Sequence, residues 1–145
     1  METKSIFDQA DQNRIVAAIH EAELQTSGEV RVHIEARCPT ENAVERAQEV
    51  FFELGLHKTA LQNGVLFYLA TDDRKFAVVG DRGIDQKVPA GFWDGVKNSL
   101  RAHFSAGRFT DGFCAGIELA GHELKTYFPR QADDKNELPD DISFG

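Results

Sequence analysis

Staples, anchors and cationic clusters are all scarce in this chain. Only two of its 145 residues are cysteines, Cys38 and Cys114. Two thiols cannot make a disulfide framework, and nothing in their placement points to an oxidising compartment. The longest apolar run, Val65 to Ala70, is far shorter than the roughly 20 residues a membrane-spanning helix requires. The N-terminus reads Met-Glu-Thr-Lys and then turns polar, so no signal-peptide core is expected. Lys and Arg number 16 against 24 Asp and Glu, a formal charge of -8. Nucleic-acid backbones need clustered cations, so no nucleic acid is expected as partner.

The catalytic signatures are missing as well. There is no G-x-x-x-x-G-K-[ST] loop for nucleotide phosphates, no G-x-S-x-G elbow and no EF-hand spacing. The five histidines (His20, His33, His57, His103 and His122) include no i, i+4 pair, which argues against a His-based zinc site. What the chain does have is a core. Its hydrophobic content is 41%, with 11 Phe, and a chain of this length buries roughly 70% of its extended surface without staples. A soluble, cytoplasmic, monomeric single domain is expected.

The apolar periods lay out that domain. Asp8 can cap a helix in which Ile15, Ala18, Ile19 and Ala22 recur at helical spacing, with Ser27-Gly28 as its stop. From Glu29 to Ala36 the chain alternates strictly, which predicts a strand with one buried face at an edge or partly covered. Pro39-Thr40 opens a second helix that Gly55 ends. Val65 to Ala70 and Phe76 to Val79 read as a hairpin around Asp72-Asp73-Arg74. Two more helices follow, one marked by Phe92, Trp93 and Phe104, the next by Phe113, Ile117 and Leu124. Gly112, Gly116 and Gly121 cost the last helix up to about 1 kcal/mol each, so close backbone approach is expected there. Strand, helix, strand implies a right-handed parallel crossover. The expected fold is therefore α/β: a three-layer sandwich whose small mixed sheet combines a parallel crossover with an antiparallel hairpin, flanked by helices. It occupies residues 1-129, and residues 130-145 form an acidic tail. Asp133 to Asp141 carry five acids and one Lys without a period, which predicts a solvated segment. The alternative is a docking strip anchored by Leu138, Ile142 and Phe144.

Topology then gathers a set of oxygen donors. Parallel strands starting at Glu29 and Gly64, and a hairpin strand ending at Gly80, share one edge of the sheet. Ser27-Gly28-Glu29, Gln62-Asn63-Gly64 and Gly80 to Asp85 converge there. Three carboxylates (Glu29, Asp81 and Asp85), the Asn63 amide oxygen and flexible backbone suit a hard divalent cation. The bland alternative is turns, a capped strand and solvated acids.

The same stretches resemble the TPM domain family. Ser27-Gly28-Glu29-Val30, Asn63-Gly64-Val65-Leu66, Asp73-Arg74-Lys75, Gly80 to Asp85 and Phe104-Ser105-Ala106-Gly107-Arg108-Phe109 match in order and spacing. Asp111-Gly112 and Ala115-Gly116-Ile117 extend the match, and Asn136 to Asp140 resembles the ending of a soluble bacterial branch. The resemblance implies an α/β sandwich with a mixed sheet and divalent-metal binding, often calcium. In some plant members it implies an acid phosphatase activity. Glu29 aligns with the family's first-strand Glu and Asp85 with its acid after the third strand. Val88-Pro89-Ala90 departs from the pattern, because many members carry an acid there. Most relatives also have a signal peptide and a membrane anchor, which are not expected here. Two functions are compatible with these features. The first is a noncatalytic protein-interaction module binding a divalent cation, Ca²⁺ in preference to Mg²⁺, with a membrane-associated protein as partner and no direct membrane insertion. The alternative is a metal-dependent acid phosphatase acting on phosphomonoesters.

Overall fold

The computed structural model describes residues 6–130 and 141–145. Helix α1 (Gln9–Gln25) starts at Asp8 through a reciprocal capping box. Asp8 Oδ1 accepts the Asp11 N–H at 2.7 Å, and Asp11 Oδ2 accepts the Asp8 N–H at 3.3 Å. Strand β1 (Glu29–Glu35) follows, then α2 (Ala43–Glu53), capped by Asn42 rather than by the Pro39-Thr40 pair. Gly55 stops α2 as expected, in the left-handed region at φ 73°, where a side chain would be strained. Strands β2 (Gly64–Ala70) and β3 (Lys75–Gly80) form the hairpin. A single turn of helix, α3 (Arg82–Asp85), precedes α4 (Asp94–Ser105) and α5 (Phe109–Leu124), and strand β4 (Ile142–Phe144) ends the described chain.

The sheet runs β3-β2-β1-β4. Strand β1 is parallel to β2 and to β4, and β2 is antiparallel to β3, so the sheet is mixed, as the crossover and hairpin imply. Register assigns its two faces. Val30, Val32 and Ile34 pair with Val65, Phe67 and Leu69 and face the cluster that includes Ile15 and Ile19 of α1, Leu100 of α4 and Phe113 and Ile117 of α5. Leu66, Tyr68 and Ala70 face the other way, onto Ala47, Val50 and Phe51 of α2. Helix, sheet, helix makes the three layers.

Two larger sequence expectations also change. Strand β1 is neither an edge nor half-exposed: it lies inside the sheet and all seven of its residues are buried. Its alternation separates an apolar layer from a buried polar one, so period alone mistook the second for a solvent face. The tail also changes. Ile142, Ser143 and Phe144 pair with Val32, His33 and Ile34 and are half-buried, so the end of the chain is an edge strand, closer to the docking-strip alternative. Leu138 and Asn136 to Asp140 lie outside the described residues.

The helix glycines behave as their cost suggested. A Cβ on Gly116 would stand 2.7 Å from Leu100 Cδ2, and one on Gly121 would stand 2.8 Å from Ala22 Cβ and 2.9 Å from its Cα. The second contact is with backbone, which cannot swing aside. Gly121→Val is accordingly expected to force α1 and α5 apart and to destabilise by at least about 1–3 kcal/mol, the usual overpacking range. Urea denaturation would measure it, and an unchanged midpoint would refute the close approach. Trp93 sits at the N-cap of α4 rather than within it, half-buried against the core and edge-on to Phe92 with ring centres 4.9 Å apart.

Candidate functional site

The start of β1, the start of β2 and the end of β3 meet at one edge of the sheet. Glu29 is in register with Gly64 and Val65 with Gly80. The Glu29 N–H donates to the Asn63 carbonyl at 3.3 Å, and the Asp81 N–H donates to the Gly64 carbonyl at 2.9 Å. The three loops converge because a parallel crossover brings both strand starts to one side and the hairpin returns to it.

The side chains there divide into an inner and an outer set. Glu29 and Asn63 are buried. The Asn63 side-chain amide donates to Ser27 Oγ at 3.3 Å, tying the loop before β1 to the loop before β2. Asp81 is the N-cap of α3, its Oδ1 accepting the Arg82 N–H at 2.7 Å. Its other oxygen, Oδ2, is buried and has no hydrogen-bond partner among the described residues. Buried Ile84 pins the α3 turn down, while Asp85 and Arg82 are exposed. The turn lies directly on the preceding loop: a Cβ on Gly83 would stand 2.4 Å from the Leu61 carbonyl oxygen and 2.5 Å from that of Gln62. Only glycine permits that approach. Among the described residues, no group of three or more His, Cys, Asp or Glu is arranged to hold a metal ion. The fold therefore gathers the backbone of Glu29, Asn63 and Asp81, while Asp85 stays on the exposed side of its turn.

A second polar centre, which sequence reasoning missed, lies under α2 on the buried polar row of β1. Glu35 Oε2 accepts from Arg46 Nε at 2.8 Å and from the Tyr68 hydroxyl. Oε1 accepts from Arg46 Nη2 at 3.0 Å and from His33 Nε2 at 3.2 Å. A carboxylate only accepts, so Nε2 carries the His33 proton and Nδ1 accepts from Ser143 Oγ at 2.9 Å. Burial alone would push the Glu35 carboxyl up, but the bonds from Arg46, Tyr68 and His33 outweigh it and hold it at about 2. Burial lowers His33 despite the Glu35 hydrogen bond. Burial, then Glu35, drives the Tyr68 hydroxyl up. All four acceptor directions of Glu35 are used and both His33 nitrogens are committed, so the carboxylate and the imidazole hold each other and their neighbours in place. The cluster is a structural node. The signals that could have revealed it were Tyr68 within an otherwise apolar strand and Arg46 on the helix that covers it.

The family model of the TPM domain matches residues 1–123. The chain belongs to the TPM domain family. Over 96% of its length this TPM chain is similar to the BA42 protein from the psychrophilic bacterium Bizionia argentinensis, whose solution structure it matches at 43% identity and a TM-score of 0.90, covering 95% of that chain. The N-terminal domain of the cg2496 protein from Corynebacterium glutamicum shares the fold at 13% identity and a TM-score of 0.63, with 93% of this chain and 78% of that one covered. No curated protein matches the TPM chain. None of its helices, among the described residues, is long and apolar enough to cross a membrane.

Proposed function

We propose that this TPM chain is a noncatalytic binding module that takes one divalent cation, calcium in preference to magnesium, at the strand-start edge and docks a membrane-associated protein beside it. The supporting observation is the buried Asp81 Oδ2, which has no hydrogen-bond partner among the described residues. A buried carboxylate oxygen left without a donor is costly, and a cation would relieve it. Asp81 and Asp85 would supply charge, with Asn63 and Glu29 behind them, and loop carbonyl oxygens complete the oxygen-only donor set that calcium prefers. Docking is supported by exposed apolar side chains between α2 and β2: Phe52, in the last turn of α2, is 63% exposed and Leu61, in the loop before β2, is 55% exposed. The phosphatase alternative needs a cationic cradle for phosphate, and Arg82, the candidate cation of this turn, is exposed.

Titration with Ca²⁺ and with Mg²⁺, followed by thermal melting and by amide shifts, tests the site. Stability should rise by mass action, about 2.7 kcal/mol at a hundredfold excess over the dissociation constant, and the shifts should concentrate in Gly80 to Asp85. Asp81→Asn should abolish the response while sparing the fold, because Asn is as good an N-cap as Asp. Melting temperatures and amide shifts unmoved by both saturating cations would refute the proposal.

A further inference from the structure

The opposite edge of the sheet carries a different kind of site. The hairpin turn Asp73-Arg74-Lys75 and the stretch Phe104 to Phe109, far apart in sequence, both contribute to one cavity of about 260 Å³. Its apolar lining comes from Leu69 of β2, Phe76 of β3, Phe104 of α4 and Phe109 of α5. The rings already pack on one another: Phe104 lies 5.4 Å from Phe76, edge-on, and 5.7 Å from Phe109, centre to centre. Its polar lining is Arg74, Arg101 and Ser105, with no carboxylate.

Neither arginine of this lining is neutralised by a neighbouring acid among the described residues. Arg101 lies over the Phe76 ring, 5.7 Å from its centre, and donates to Asn98 Oδ1 at 3.1 Å. Among the described residues, neither Arg74 nor Arg101 has a carboxylate within ion-pair distance, although acids outnumber bases by 24 to 16. Arg74 also holds a left-handed backbone, φ 53°, at a turn position that glycine or asparagine would occupy with less strain. A guanidinium kept there at a conformational cost, over a floor of half-buried phenyl rings, suits an anion attached to an apolar body.

We propose that this cavity binds a small aromatic carboxylate, its ring against Phe76, Phe104 and Phe109 and its carboxylate on Arg74 and Arg101. The volume lies just below the roughly 300–1,000 Å³ of pockets for drug-sized ligands, which fits one ring with a short acidic arm. A carboxylate's two oxygens match two guanidinium forks. Only the Ser105 hydroxyl would remain for the additional oxygens of a phosphate. The site is independent of the cation edge, since β2 runs from one to the other.

Titration of the full chain with 3-phenylpropionate, followed by amide shifts, tests this. Saturable shifts are expected at Leu69 to Phe76 and Arg101 to Phe109, with a dissociation constant of about a millimolar for so few atoms. The neutral amide of the same acid should bind roughly tenfold more weakly, as should the acid to Arg74→Gly or Arg101→Gln, through loss of a charge-assisted contact. Arg74→Gly relieves a left-handed position and should melt no lower than the parent, so weaker binding by it cannot be ascribed to misfolding. The proposal is overturned if the amide binds as tightly as the acid, if Arg74→Gly binds unchanged, or if the shifts fall elsewhere or fail to saturate. Tighter binding of phenyl phosphate than of 3-phenylpropionate would overturn the choice of carboxylate.

Discussion

Glu35→Ala is expected to destabilise the protein by about 3–5 kcal/mol, the usual cost of removing one partner from a buried ion pair. The reason lies in what remains. Arg46 loses both of its bonds to the carboxylate, and the Tyr68 hydroxyl and His33 Nε2 each lose their acceptor. Arg46 can still turn to Glu49, 3.2 Å from its Nη1, but Tyr68 and His33 are buried in the sheet and have no such exit. Glu35→Gln keeps an acceptor oxygen and should lose less. Denaturant melts of the two variants at neutral pH check the ordering, and equal, small losses would show that the node contributes little.

The same cluster fixes the direction of the pH dependence. The Glu35 carboxyl is lowered from 4.5 to about 2 in the folded state. Its contribution is therefore fully present above the unfolded value and is lost as pH falls from about 4.5 toward 2. His33 is also lowered by burial, so the unfolded chain takes up its proton first. Stability should begin to fall once pH drops below about 6.5. Both groups act in the same sense: acid destabilises in two stages. In Glu35→Gln the lower stage should shrink while the upper one remains.

Removing residues 141–145 is expected to cost about 2–4 kcal/mol. Half-burial of Ile142 and Phe144 is worth roughly 1 kcal/mol each on the scale of about 1.5–3 for full burial. The rest comes from the β1 ladder, where the Gly145 N–H also donates to the Ile34 carbonyl at 3.0 Å, and from the loss of Ser143 at His33 Nδ1. A solvated tail would give no change at all, so a thermal melt of the truncated chain separates the two. Faster hydrogen exchange along Val32 to Ile34 in the truncated chain would locate the effect.

Local patterns in the sequence already specify most of the scaffold. The Asp8 capping box, the stop at Gly55 and the two-faced apolar run of β2 each follow from interactions within a few residues, and the crossover rule leaves few ways to join them. The convergence at the strand-start edge follows from that topology alone. So does the cost of Gly116 and Gly121, which announces close packing before any partner is known. The partners themselves are long-range facts. Whether Glu29, Arg31, His33 and Glu35 face water or an interior depends on what covers that row, and the partners of His33 and Glu35 come from α2 and β4, elsewhere in the chain. Alternation records only that two faces differ, not which of them is wet. The β4 strand was equally hidden, because three residues have no measurable period and their pairing exists only once β1 offers an open edge. Arg74 and Phe104 likewise share a cavity only because α4 packs on the face of the sheet to which the hairpin strands contribute Leu69 and Phe76. Local chemistry chose the elements; only their packing could decide which polar groups are buried together, since burial is a property of neighbours that the chain brings from far away.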